Sequence, residues 1–226
     1  QQEQRSQLSG LQQQAAGDMI ERAAELLFPD DWIELSNSSG ELVLSRRDGS
    51  RASYASRTAI GLQSAFPEGV GTSEGVIDIT KGSFPLPDAG HEFTHRIQAV
   101  NIMLLLHDDA FARRKQTPTT EAEKRSRKFS LRSFASILGR SGMEGEKAIE
   151  DHFAMPYMGK LYDARRGKLR MEVSSVGVEV LLGGSVHASA RPADQQHLGP
   201  YTLAEALAED RSKSWIGHVL AMLIGV

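Results

Sequence analysis

In the stretch DAGHEFTHRIQAV (residues 88 to 100) two histidines, His91 and His95, stand four positions apart, and Glu92 directly follows the first. On an α-helix, residues i and i+4 lie one turn apart on the same face, so the two imidazoles can offer nitrogens to one cation. Glu92 points to the adjacent part of that surface. From there it can reach a water on the cation without taking a coordination position itself, which is what a general base requires. The pattern also arises by chance on exposed helices, so its context matters. Here a β-like strand, GVIDIT (75 to 80), and a loop rich in Gly and Pro, KGSFPLPDAG (81 to 90), precede a helix read from His91 to Leu106. Strand, loop and helix in this order form the setting in which the pattern holds zinc.

Catalytic zinc takes three protein ligands and keeps a fourth position for water. The next histidine after His95 is His107, twelve residues on, which excludes the pattern HExxHxxGxxH. The remaining candidates are Glu172, Glu179, His152 and His107. Glu172 sits on a later helical stretch, where the small residues Ser174, Ser175 and Gly177 that follow would allow close packing; Glu179, two turns on, is the fallback ligand or a partner for one of the histidines. The residue types favour a site of two histidines and one glutamate.

The elements around these residues read as follows. Residues 1 to 14 are rich in glutamine and resemble a linker, with a single domain over 15 to 226. An amphipathic helix spans Ala15 to Phe28 and is ended by Pro29. DDWIELSNSSGELVLSRRDGSRASYA, with Trp32 to Leu35 as its first strand and a turn at Asp48-Gly49, suggests a small antiparallel sheet. Residues 113 to 128 carry seven basic and two acidic residues and read as a solvated loop. Residues 130 to 138 and 145 to 153 look helical, 156 to 168 form a turn-rich segment with Tyr157 and Tyr162, and 170 to 184 form a helix stopped by Gly183-Gly184. Two helices close the chain. Short strands followed by helices make an α+β chain.

Composition removes several function classes. The chain of 226 residues has no cysteine, so disulfides, thiolate metal sites and a cysteine nucleophile are excluded. A net charge of −3 gives no bulk attraction to nucleic acid or to an anionic membrane. The apolar terminal stretch WIGHVLAMLIGV is 12 residues long, too short for a membrane span. The N-terminus lacks the basic and apolar regions of a secretory signal and does not begin with Met, which suggests a domain cut from a longer polypeptide.

Several segments taken together, GHEFTHRIQ, DHFAMPYMGKLY, MEVSSVGVEVLLGG and LAEDRSKSWIGHVLAMLIGV, resemble the zincin-like metallopeptidase domains attached to phage Mu F-type head-morphogenesis proteins and to bacterial polymorphic toxins. The likeness runs from about residue 28 to the C-terminus. It implies a zincin-like fold with an active-site helix and a mostly helical C-terminal half, and a zinc peptidase of the gluzincin type. In that reading Zn2+ is held by His91, His95 and Glu172, Glu92 is the base, and a tyrosine steadies the oxyanion, Tyr157 in preference to Tyr162. Position 98 is Gln where related helices would carry Glu, and is read as a surface exchange. The implied substrate is a protein or peptide, and the implied setting is a toxin, effector or phage-associated protease delivered within a larger secreted or phage-derived particle. Two other readings remain open: a non-enzymatic structural module braced by zinc, and a protease that processes its own parent polypeptide.

Overall fold

The structure is a computed structural model that describes residues 5–6, 9–47, 52–56, 75–79, 84–138, 147–149, 156–161, 172–184, 202–208 and 210–224. It is α+β and mostly helical, and it divides into two compact units, Gln1–Leu104 with Leu223–Val226, and Leu105–Met222.

In the first unit, strand β1 (Arg5–Ser6) precedes helix α1 (Gly10–Leu27). The helix begins five residues before the expected start at Ala15, because Ser9 and Gln12 form a capping box: the Ser9 hydroxyl accepts from the Gln12 N–H, and the Gln12 side chain accepts from the Ser9 N–H. Gln-rich residues are good helix formers once capped, so part of the expected linker is helix. The face with Ala16, Ile20, Ala23 and Ala24 is buried.

Residues 30 to 38 overturn an expectation. Trp32 to Leu35 are not a strand but lie within helix α2 (Asp30–Ser38). Four alternating residues are too few to separate the two periods. The local chemistry favours the helix, with Pro29 at the cap and Asp30 and Asp31 in the first turn beside the positive end of the backbone dipole.

The sheet is also not the expected antiparallel one. Its strands β1, β2 (Leu42–Arg47), β3 (Ser53–Ser56) and β4 (Gly75–Ile79) run in the order β1-β2-β4-β3, and β2 and β4 are parallel. All five residues of β4 are buried. A strand buried on both faces takes an inner position, so β4 separates β2 from β3, and the two do not pair as a hairpin. The expected turn at Asp48-Gly49 lies outside the described residues. Asp78 on β4 accepts the Ser45 hydroxyl of β2.

Helix α3 (Leu86–Val100) carries the histidine motif and packs against α1, α2 and β3. It opens at Leu86 rather than His91. Pro85 is the cap and Pro87 sits in the first turn, where a missing N–H leaves no hydrogen bond unmade. The prolines that suggested a loop therefore start the helix. Every residue from Ala89 to Val100 is buried. Arg96 on this helix is fully buried and donates to the Ser36 and Gly40 carbonyls at 2.8 and 2.9 Å, gathering the carbonyls that end α2. The helix also stops earlier than Leu106. Asn101 interrupts it, and the Asn101 Oδ1 accepts from the Met103 and Leu104 N–H groups to cap a new helix.

That helix, α4 (Ile102–Lys115), leads through the second unit to a capped turn, α5 (Glu121–Lys124). The basic segment is thus largely exposed, as expected, but partly helical. A three-stranded antiparallel sheet follows, formed by β5 (Arg132–Ser133), β6 (Lys147–Ala148) and β7 (Lys160–Leu161), with α6 (Phe134–Leu138) after β5 and a 3-10 turn over Pro156–Gly159 before β7. Residues 147 and 148 are therefore strand where a helix was expected. Gln116, buried after α4, donates to the Gly159 carbonyl of the turn at 3.2 Å.

Helix α7 (Glu172–Leu181) ends as expected: Gly183 takes φ +81°, and the Gly184 N–H reaches the Glu179 carbonyl at 2.9 Å. Helices α8 (Leu203–Ala208) and α9 (Asp210–Leu223) close the unit. Helices α7 and α9 meet so closely that a Cβ added at Gly177 would lie 2.5 Å from the Val219 Cγ2. Gly177→Ala should therefore lower stability by about 1–3 kcal/mol through overpacking. In a Val219→Ala background the same change should cost measurably less. Thermal unfolding of the four proteins of this cycle checks it, and additive losses would show that the clash is not the cause.

Candidate metal centre

Helix α3 sets His91 and His95 one turn apart with their ring centroids 5.0 Å from each other and planes at 78°. The His95 Nδ1 donates to the Gln98 Oε1 at 2.8 Å, one turn further along the helix. Because an amide oxygen accepts, this contact suits a ring protonated at Nδ1.

Glu172 is the first residue of α7 and is fully buried. Its Oε2 accepts the Ser175 hydroxyl at 3.1 Å. The start of α7 is fixed by a carboxylate from α4: Asp108, also fully buried, accepts the Ser174 hydroxyl at 2.7 Å and the Ser174 backbone N–H at 3.3 Å, and receives the His218 Nε2 at 3.2 Å. One of the orphan N–H groups of the helix is satisfied in this way. The Trp215 indole N–H, bonded to the Val173 carbonyl at 2.9 Å, anchors the same turn.

His91, His95 and Glu172 each offer one ligand atom, and these atoms all lie within 4.8 Å of one another. Atoms about 2 Å from a common cation stand roughly 3 to 4 Å apart, so the group is close to a coordinating arrangement. Two imidazoles and a carboxylate are also the donor types a first-row divalent cation takes. This buried group could hold a metal ion.

Glu92 lies on the same helix, beside His91, and is 6% exposed. Among the described residues nothing donates a hydrogen bond to its carboxylate and no cation pairs with it.

The other candidates separate from the group. Glu179 is half-buried and not one of its members, and His107 is exposed. His152 and Tyr162 lie outside the described residues. Tyr157 is buried in the 3-10 turn that packs against α7, with its ring edge-on to Phe134 at 5.8 Å and the Lys160 ammonium 5.2 Å from its centre. Its ring is thus part of the packing of the second unit.

Gln98 corrects the expectation of a surface exchange: it is 1% exposed and bonded to a histidine of the motif. The sequence carried a signal for it, since position i+3 from His95 falls on the face beside that ring. The same spacing relates Ser175 to Glu172.

Compared with profiles of known protein families, with curated proteins and with solved structures, the chain matches none of them. Among the described residues no helix is long and apolar enough to cross a membrane.

Proposed function

We propose that this chain is a zinc-dependent endopeptidase of the gluzincin type, with His91, His95 and Glu172 as zinc ligands, Glu92 as general base and Tyr157 as donor to the oxyanion. The buried grouping of His91, His95 and Glu172 carries this reading. Two imidazoles and a carboxylate match the ligand sets of hydrolytic zinc sites, which leave a fourth position open. When bound, zinc would supply a Lewis acid that polarises the scissile carbonyl and acidifies water.

The chain's own groups do the rest. The Glu92 carboxylate takes a proton from the attacking water as its oxygen bonds to the carbonyl carbon, then returns that proton to the amine as the C–N bond breaks. The Tyr157 hydroxyl donates to the oxygen that gains charge. The substrate is a protein or peptide segment, and the resemblance to phage-associated and toxin domains suggests an effector carried in a larger polypeptide or particle, with the parent chain itself as a possible substrate. The deep burial of the ligand group also suits the alternative of a structural metal that only braces the fold.

Metal removal separates the two. The purified chain should contain about one zinc per molecule and cleave an unfolded casein. Chelator should abolish cleavage and added zinc restore it. Bound zinc with no cleavage of casein or of the parent polypeptide would select the structural alternative, and cleavage indifferent to chelator would overturn the proposal.

A further inference from the structure

We infer that Gln98 is a positioning residue of the metal centre, which fixes His95 in the tautomer that offers Nε2 to the cation. The inference rests on the metal-centre reading above. It starts from an oddity of α3: in a helix buried on all sides from Ala89 to Val100, position 98 carries a neutral amide where an apolar side chain would pack without desolvating a polar group. The amide is not idle, since its Oε1 is 2.8 Å from the His95 Nδ1.

The consequence for the ring follows from its chemistry. A neutral imidazole has one N–H and one lone pair, and the hydrogen bond made by one nitrogen decides which atom the other presents. An amide oxygen can only accept, so Nδ1 holds the proton and Nε2 the lone pair. The bond also limits rotation about the terminal torsion of His95, which is otherwise broad. Glu172 shows the same device independently: Ser175, also three residues on, donates to Oε2. One carboxylate oxygen is thereby held in place. Each of these two ligands is aimed by a partner on its own helix.

Gln98 differs from the carboxylate expected at this position in carrying no charge. It orients His95 without adding negative charge to a buried site that already holds Glu92 and Glu172. This limits the repulsion among buried carboxylates when no cation is bound.

The test compares Gln98→Leu, which removes the acceptor at similar volume, with Gln98→Glu, which keeps an acceptor. Zinc affinity is measured by chelator competition, and the visible spectrum of the cobalt(II) form reports ligand geometry. Gln98→Leu should bind zinc about 10–100-fold more weakly, the usual loss for an outer partner of a ligand, with an altered cobalt spectrum, and Gln98→Glu should restore both. Equal affinity and an unchanged spectrum in Gln98→Leu would overturn the inference. A measurement on the unaltered, metal-free chain covers the case in which Gln98→Leu does not fold: long-range 1H–15N correlation at neutral pH should show His95 protonated at Nδ1. A ring protonated at Nε2 would overturn the inference. If the unaltered chain binds no metal, the metal-centre reading fails, and the tautomer measurement still decides what Gln98 does to His95.

Discussion

Glu92→Gln should keep the full metal content of the unaltered chain and lose about 10^2- to 10^4-fold of its peptide cleavage, the range a positioned general base supplies. The two halves of this result come from different features of the site. Metal is retained because Glu92 is not one of the three residues whose ligand atoms converge. Activity is lost because an amide of nearly the same shape cannot take the proton from water or return it to the amine. The substitution is also mild for the fold, since it keeps the side chain's shape and breaks no hydrogen bond or ion pair among the described residues. Elemental analysis, thermal unfolding and casein cleavage on one preparation report all of this together. Cleavage at the unaltered rate would move the base to another residue, and loss of metal would make Glu92 a ligand.

The parts of this site that were legible in the sequence are those that lie within one helix. His91, Glu92 and His95 follow from the geometry of a single turn, and α3 places the two histidines as that geometry requires. Glu172 could be ranked above Glu179 only weakly from residue types, because the meeting of two distant segments is set by tertiary packing and leaves no periodic trace. The family resemblance pointed to Glu172, and the convergence of the three ligand atoms includes it and not Glu179. Gln98 was misread for a different reason. A glutamine is usually exposed, and only the discovery that α3 is buried on every side turns its polarity into a signal.

The fold shows the same division. Helices α1, α7 and α9 have long apolar faces or clear stops and were legible, with errors at their ends. Helix α2 was misread because Trp32 to Leu35 alternate over too short a span to distinguish strand from helix. The parallel pairing of β2 with β4 was out of reach, since strand order depends on which strand must be buried on both faces.

Glu172→Gln should give the most telling effect on stability, because its sign reverses with metal. In the metal-free chain Glu172 is a fully buried carboxylate that accepts the Ser175 hydroxyl. Exchanging it for an amide removes a desolvated charge, and the metal-free variant should unfold at a temperature equal to or above that of the unaltered chain. With zinc the order inverts. A ligand that binds only the folded state stabilises it by RT ln(1 + [L]/Kd), about 4 kcal/mol at a thousandfold excess over Kd. Loss of one of three ligands should weaken binding by more than the 10–100-fold typical of an outer partner, so most of that stabilisation disappears from the variant. Glu179→Gln, on the same helix but outside the ligand group, should respond to zinc as the unaltered chain does. Unfolding curves of the three proteins with zinc and with chelator make the comparison. A Glu172→Gln chain that zinc still stabilises fully would remove Glu172 from the centre, and a Glu179→Gln chain that zinc no longer stabilises would put Glu179 in its place.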